Sequence, residues 1–407
     1  MALPFVLSPY LRPLKVAERE GFILDDGVTG WIELDSPMQA VVRALWDGEE
    51  GGAAQRGLAA ASAEHGHDVV TGAIDRLKER RVVFDTMAAC DEALDSVVDA
   101  ASPARVPFVD QIELTNICPF RCQFCPRGVE GKMKRPTGKM DFALYERLLD
   151  QLHPDQRKWR ALELHHLGES LVHPEVDKFI AAASRRGLPT EMSCNPSMLQ
   201  GDLGARLVDA GVKRIVISLD GVDNATSISI RGPAARYDKA ERNLEALLGH
   251  AAGHPDPPRI VIQMIDLHKN RHQREAFLAR WGRTGLPFVA AYIKDLDGPD
   301  PDTGKSSKTP VQYLCSYPWR SVVVLWDGRV VPCCRDSDAA LVLGDLNTQS
   351  LEEIWKGAEV KRLREQLRKK EVPCGHLCDG CSWSRDSFAK GMSARHPDRV
   401  KEEPLYW

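Results

Sequence analysis

No stretch of this 407-residue chain approaches 18 uninterrupted apolar positions, so the ordinary signature of a membrane-spanning helix is missing. The opening residues MALPFVLSPYLRPLK hold a short apolar stretch with no basic run ahead of it. The layout of an export signal is therefore absent, and the expected location is the cytoplasm. An excess of positive charge is missing too: 54 Lys and Arg face 58 Asp and Glu, and a net charge of -4 leaves no electrostatic footprint for nucleic acid. Neither an internal repeat nor a low-complexity tract is present. With 43% apolar and 28% charged residues the composition is that of a globular protein, and the length asks for two or three domains, because single hydrophobic cores stop growing earlier.

Cysteine, by contrast, is plentiful. Nine of the 11 fall in two groups: Cys118, Cys122 and Cys125, then Cys315, Cys333, Cys334, Cys374, Cys378 and Cys381. Cys90 and Cys194 stand apart and read as core residues. With no export signal the reducing cytosol favours thiolates that hold metal over disulfides.

The pattern divides the chain. Residues 1–100 read as a small α+β unit in which GFILDDG and TGWIELD form two strands around an Asp-Gly turn. Ser36 as N-cap, Pro37 at the first helical position and Gln39 form a capping box that opens a helix, and Val41, Val42, Leu45 and Trp46 supply its apolar stripe. A second helix ends near Gly66, a third carries Val70, Ile74 and Leu77, and RVVFD closes a winged-helix-like order. Residues 105–297 alternate strands (VDQIELT, ALELHHL, TEMSC, RIVISLD, RIVIQMI, FVAAYIK) with helices such as 141–152, which argues a parallel α/β sheet or barrel. The polar, Pro- and Gly-rich run 298–310 is a linker. Residues 311–390 carry a hairpin-like SVVVLWDGRVVPCC, a helix from Leu351 to about Lys370 and the last cysteines, and 391–407 form a tail.

CxxxCxxC follows directly on the first of the alternating strands, in TNICPFRCQFCPRG. Three thiolates on one loop hold three irons of a 4Fe-4S cube and leave one iron open to another ligand. Zinc, the competing metal, wants a fourth ligand, and no other thiol or His lies close by in the sequence.

This strand, loop and alternation, over most of 107–390, resemble the radical S-adenosylmethionine (SAM) superfamily. The resemblance implies a partial (β/α)6 barrel in which the open iron binds SAM, and one electron cleaves SAM to a 5′-deoxyadenosyl radical that abstracts hydrogen from substrate. It also implies a flavodoxin- or ferredoxin-type electron donor. Phe124 matches the aromatic position near adenine, and Gly168 and Glu169 match the motif that receives the SAM amino group, with Ser170 where proline is usual. Ser218 matches the position that bonds the ribose, Arg231 the one that meets the SAM carboxylate, and Gln263 is a further match.

The second group resembles the SPASM/twitch domains that follow many such barrels, including the LGDL and SLEEIWKG segments. Cys315, Cys333, Cys378 and Cys381 are the four ligands this implies for one auxiliary 4Fe-4S cluster, with spacing similar to that of 2-deoxy-scyllo-inosamine dehydrogenase. Cys334 and Cys374 are spare. Cys334 is the candidate hydrogen donor for an epimerisation, against a role as a packed thiol. Of His165 and His166, alternation lets one face the barrel interior, and His165 is the candidate base.

The first unit resembles the PqqD-like element that captures the leader of a ribosomally made peptide (RiPP) by β-augmentation. The leading expectation is thus a maturase that oxidises, cross-links or epimerises a precursor peptide. The alternatives are a carbohydrate or aminocyclitol dehydrogenase or epimerase, and a non-catalytic iron-sulfur sensor.

Overall fold

A computed structural model describes residues 34–46, 53–80, 106–153, 161–296 and 317–369. It also describes strand backbones at 6–7, 11–16, 19–24 and 30–32 and short stretches at 82–86, 89, 156, 301–303, 372–373, 376–378 and 381. Cys90, Cys315 and Cys374, most of the 298–310 linker and the 391–407 tail lie outside the described residues. The chain divides into two units: residues 1–105 with 310–320 and 364–407, and residues 106–309 with 321–363.

In the first unit, β1 (Val6–Leu7) pairs antiparallel with β5 (Val83–Phe84), while β2 (Leu11–Val16), β3 (Arg19–Leu24) and β4 (Gly30–Ile32) form a three-stranded antiparallel meander. The two strands expected on either side of the Asp-Gly turn are present as the antiparallel pair β3 and β4, and the turn itself lies outside the described residues. β2 escaped the sequence reading because Pro13 and the charged Arg12 and Lys15 hide its alternation. Helices Ser36–Trp46, Ala53–His65 and His67–Glu79 follow. Met38, Val41, Val42 and Leu45 of the first pack with Ala54, Val70, Ala73 and Leu77 of the others, the stripe that 3.6-residue spacing demands. The cap differs from expectation. Asp35 is the N-cap: its Oδ1 accepts from Met38 N at 2.9 Å and its carbonyl from Gln39 N, while the Gln39 side chain donates to the Leu34 carbonyl at 2.8 Å. A carboxylate in the register one residue earlier thus replaces the Ser36 capping box.

The second unit carries six parallel strands in chain order: β6 (Phe108–Ile112), β7 (Leu162–Glu163), β8 (Thr190–Cys194), β9 (Arg214–Ser218), β10 (Arg259–Asp266) and β11 (Val289–Asp295). Helices Phe142–Leu149, Val176–Arg185, Leu203–Asp209 and Arg274–Trp281 each follow one of these strands, and Asn224–Arg231 and Tyr237–Ala252 both follow β9, an order that fits a (β/α)6 sheet. The second strand is only two residues long, and the helix expected at 141–152 runs Phe142–Leu149 with Asp141 as its cap. Pleating sorts the side chains. Met192, Cys194, Ile215, Ile217, Ile260, Ile262 and Met264 are buried on one face. Gln111, Glu163, Glu191, Ser193, Arg214, Ser218, Gln263 and Tyr292 share the other through the strand register.

The sheet continues. β12 (Ser321–Val324) joins β6 in parallel, and β13 (Arg329–Val331) and β14 (Gly344–Asp345) follow antiparallel, so the cysteine hairpin extends the barrel sheet by hydrogen bonding. The helix from Leu351 is split into Leu351–Trp355, opened by a Ser350–Glu353 capping box, and Ala358–Lys369. Gly357 sits at the break.

Candidate active site

The CxxxCxxC loop leaves the end of β6 and is pinned to the end of the helix Asn224–Arg231. Arg121 N donates to the Arg231 carbonyl at 2.8 Å and Gln123 N to the Ile230 carbonyl at 3.1 Å, so carbonyls that a helix end leaves without partners hold the cysteine loop. Gly232, at φ 85°, ends that helix in a conformation side chains avoid. Gly128 lets the loop fold back on itself: a Cβ there would stand 2.3 Å from the Cys122 carbonyl oxygen. Phe120, Cys122 and Ala235 form a small apolar core, with Cys118, Phe124, Cys125 and Met198 packed against it. Burial pushes the Cys118 thiol up to about 12 and the Cys122 thiol up to about 11, so metal binding at this loop releases protons.

Arg231 is drawn into this cradle. Its Nε and Nη2 bond Asp220 Oδ2 at 2.7 and 2.6 Å, its Nη1 donates to Cys122 Sγ at 3.6 Å, and its guanidinium lies 5.4 Å from the Phe124 ring centre. Burial opposes its charge, but Asp220 more than offsets this and holds Arg231 a cation. Asp220 itself is buried and its Oδ1 accepts from Ile265 N at 2.8 Å. Sequence reasoning passed over Asp220, although its place two residues after Ser218 in SLDG was the available signal.

Gly168 has φ 93°, and a Cβ would approach the Thr115 carbonyl oxygen to 2.3 Å, so the turn after β7 can press against the strand that leads to Cys118. Glu169 follows. Its N donates to the Ile117 carbonyl, its Oε2 accepts from Asn195 N at 2.9 Å and its Oε1 from Leu171 N at 3.2 Å. Burial raises its carboxyl to about 7, the two amide bonds pulling the other way. Ser218 lies 3.4 Å from Ser193 Oγ, and Gln263, its register partner on β10, accepts from the Tyr292 hydroxyl at 2.8 Å.

The two histidines, just beyond β7, are fixed differently. His165 Nδ1 accepts from Ser193 N at 3.1 Å, so its proton sits on Nε2, 3.8 Å from Glu163 Oε2. Gln111 Nε2 donates to Glu163 at 2.7 Å, which turns Gln111 Oε1 toward His166 and makes His166 Nδ1 the donor across 2.9 Å. His166 Nε2 is buried with no hydrogen-bond partner of ordinary geometry among the described residues. Burial, then Arg135, lowers His166 to about 3.

Cys333 and Cys334 follow β13, and Cys334, like Ala339, packs against the cluster of Val323, Leu325 and Val331. In the other unit Cys381 N donates to the Cys378 carbonyl, and Cys378 N to His376 Nδ1 at 3.1 Å, a CxxC turn. Three thiols, an apolar cradle and a cation on the Cys122 sulfur fit an iron-sulfur cube in which three of the four irons each take one cysteine. Among the described residues no three His, Cys, Asp or Glu side chains converge on a point for a single metal ion.

Residues 112–279 match the radical SAM superfamily, and residues 315–382 match SPASM, an iron-sulfur cluster-binding domain. The protein is a radical SAM enzyme. A cofactor-modifying protein for tungsten-containing aldehyde ferredoxin oxidoreductase from Pyrococcus furiosus is 23% identical, over 55% of this chain and 70% of that protein. The SAM-dependent 2-deoxy-scyllo-inosamine dehydrogenase of Niallia circulans is 22% identical, over 67% of this chain and 91% of its own. PqqA peptide cyclase of Granulibacter bethesdensis is 23% identical, over 60% and 73%. The radical SAM enzyme therefore takes SAM and a 4Fe-4S cluster in the domain of residues 112–279 and auxiliary iron-sulfur in that of residues 315–382, and the sensor alternative falls. Among the described residues no helix is long and apolar enough to cross a membrane.

Proposed function

We propose that this enzyme oxidises, cross-links or epimerises a residue of a ribosomally made peptide. The observation that carries the reading is the meander β2-β3-β4, whose outer strands each have an edge bonded to no strand among the described residues. An extended leader peptide adds to such an edge through backbone hydrogen bonds. The likeness to PqqA peptide cyclase, which reaches 60% of this chain, supports it.

Cys118, Cys122 and Cys125 are the ligands of the SAM-binding cluster in this reading, and Cys315, Cys333, Cys378 and Cys381 those of one auxiliary cluster. Bound there, SAM and its cluster supply a 5′-deoxyadenosyl radical that abstracts hydrogen from substrate. Glu169, anchored on two amides, presents its carboxylate to the SAM amino group. Arg231 offers Nη1, the nitrogen that Asp220 leaves free, to the SAM carboxylate. Phe124 provides a face for adenine, Ser218 a hydroxyl for the ribose, and Gln263 a polar neighbour held by Tyr292. His165 holds the strand end at Ser193 and orients Glu163, while Cys334 remains the thiol nearest in sequence to an auxiliary ligand for hydrogen return.

A second reading, an aminocyclitol or carbohydrate dehydrogenase, is favoured by the match over 91% of 2-deoxy-scyllo-inosamine dehydrogenase. Full-length protein, purified without oxygen and used to capture peptides from the producing organism's extract, separates the two by mass spectrometry. One enriched short peptide supports the maturase. No peptide, with 5′-deoxyadenosine formation stimulated by an aminocyclitol fraction, supports the second reading.

A further inference from the structure

Cys333 opens a loop that closes on itself. Asp336 N donates to the Cys333 carbonyl at 3.2 Å, and the buried Asp336 carboxylate accepts from Ala340 N at 2.7 Å and from Leu341 N at 2.8 Å. Ala339, just before these two amides, has φ 55°, a left-handed conformation that residues other than glycine seldom take. The Asp336 bonds offset that strain, so residues 333–341 hold together as one tight turn.

The second carboxylate of the loop bonds outside it. Asp338 Oδ1 accepts from Lys134 N at 2.6 Å and from Arg135 N at 2.9 Å, and Arg135 Nε donates to the Ser337 carbonyl at 2.7 Å. Hydrogen bonds to a charged oxygen are stronger than neutral ones, and here two neighbouring backbone donors share one. Residues 134 and 135 belong to the segment that leaves the first cysteine group, and that segment is anchored in turn. Gly128 N and Val129 N donate to the Cys125 carbonyl at 2.9 and 3.2 Å. Asn116, buried two residues before Cys118, donates to the Pro136 carbonyl at 2.8 Å and accepts from Gly138 N at 2.9 Å, and Thr115 Oγ1 donates to the Gly138 carbonyl at 2.6 Å. A run of bonded backbone therefore leads from Cys118 and Cys125 through residues 134–138 to Asp338 and Cys333, all within the unit of residues 106–309 and 321–363.

We propose that Asp338 is a positioning residue for the reaction, which holds Cys333 at a set place relative to the first cysteine group. The proposal rests on the reading of Cys333 as a ligand of the auxiliary cluster. A metal ligand is placed no better than the backbone and the neighbouring hydrogen bonds that carry it. Loosening the tie at Asp338 leaves each cluster its cysteines and changes how the two clusters sit toward one another.

The test uses the reconstituted full-length holoenzyme and the variants Asp338→Ala and Asp338→Asn. In wild type the Lys134 and Arg135 amides should exchange their hydrogens slowly, read by fragmentation mass spectrometry, and in Asp338→Ala about tenfold faster. Asp338→Asn keeps an acceptor oxygen and should recover most of that protection. Both variants should hold about eight irons per chain. In Asp338→Ala the magnetic interaction between the two reduced clusters, read by pulsed electron paramagnetic resonance, should differ from wild type, and Asp338→Asn should restore it. A residue that only stabilises the fold would shift the denaturant midpoint and leave that interaction alone. Wild-type interaction in an Asp338→Ala chain with full iron would overturn the positioning role. Fast exchange of the two amides in wild type would do the same, and that result is available even where Asp338→Ala does not fold. Failure of the ligand reading has its own mark: Cys333→Ala would then keep about eight irons per chain, and the proposal would fall with it.

Discussion

Glu113, at the end of the strand that leads to the cysteine loop, holds Arg135 in a fork of two hydrogen bonds while both side chains are buried. Arg135 also donates through Nε to the Ser337 carbonyl at 2.7 Å, and Trp326 N approaches the same carboxylate. One guanidinium thus joins the entry to the first cysteine group with the loop that carries Cys333 and Cys334. Removing one partner leaves a buried charge alone. Arg135→Gln should cost about 3–5 kcal/mol, and Glu113→Gln/Arg135→Met should recover a large share, as read from denaturant midpoints. Equal losses in the single and the paired variant would refute a charge-based strut.

Two glycines should behave unlike a third. Gly168→Ala and Gly128→Ala each drive a Cβ to 2.3 Å from a backbone oxygen, whereas Gly131, at φ 75°, has nothing within 4 Å. Gly131→Ala should cost about 1 kcal/mol from backbone strain alone, and Gly168→Ala about 3 kcal/mol or more. Gly128→Ala should also lower iron incorporation, measured as iron per chain after anaerobic reconstitution. Wild-type iron content in that variant would show that the loop can fold without the close approach.

Glu191 makes a pH-dependent contribution. Its carboxyl is pushed up to about 7 by burial first, with Arg214 pulling down and Glu163 pushing up. A carboxyl raised in the folded state is favoured when protonated, so its contribution is full below about 4.5 and is lost as pH rises through about 7. The stability of wild type relative to Glu191→Gln should therefore fall between pH 5 and pH 8, by at most on the order of 3 kcal/mol. A flat difference in thermal midpoints would mean that Arg214 compensates the charge.

The cysteine groups should separate functionally. Reconstitution should give about eight irons per chain, two cubes of four. Replacing Cys118, Cys122 and Cys125 by Ala should abolish 5′-deoxyadenosine formation, and replacing Cys378 and Cys381 should leave some cleavage uncoupled from product. Equal loss in both sets would make the second cluster a structural element. A Cys334→Ala variant that cleaves SAM and makes unaltered product would remove that thiol from the chemistry.

The sequence alone determined the cysteine arithmetic, the strand-helix alternation of the barrel and the positions of Gly168, Glu169, Ser218 and Arg231, because thiol spacing, period and turn glycines are local properties of the chain. It also placed the hairpin of β3 and β4 and the three helices after it. What it left open was decided by partners distant in sequence. Asp35 took the cap from Ser36 by a one-residue shift that propensity does not resolve. β12 joined β6 across 213 positions, between Ser321 and Phe108, a pairing that no periodicity announces. The claim of Asp220 on Arg231, the Glu113–Arg135 fork and the proton positions on His165 and His166 are likewise matters of tertiary structure. A buried polar atom takes its role from whichever group the fold sets within hydrogen-bond reach, and only folding names that group.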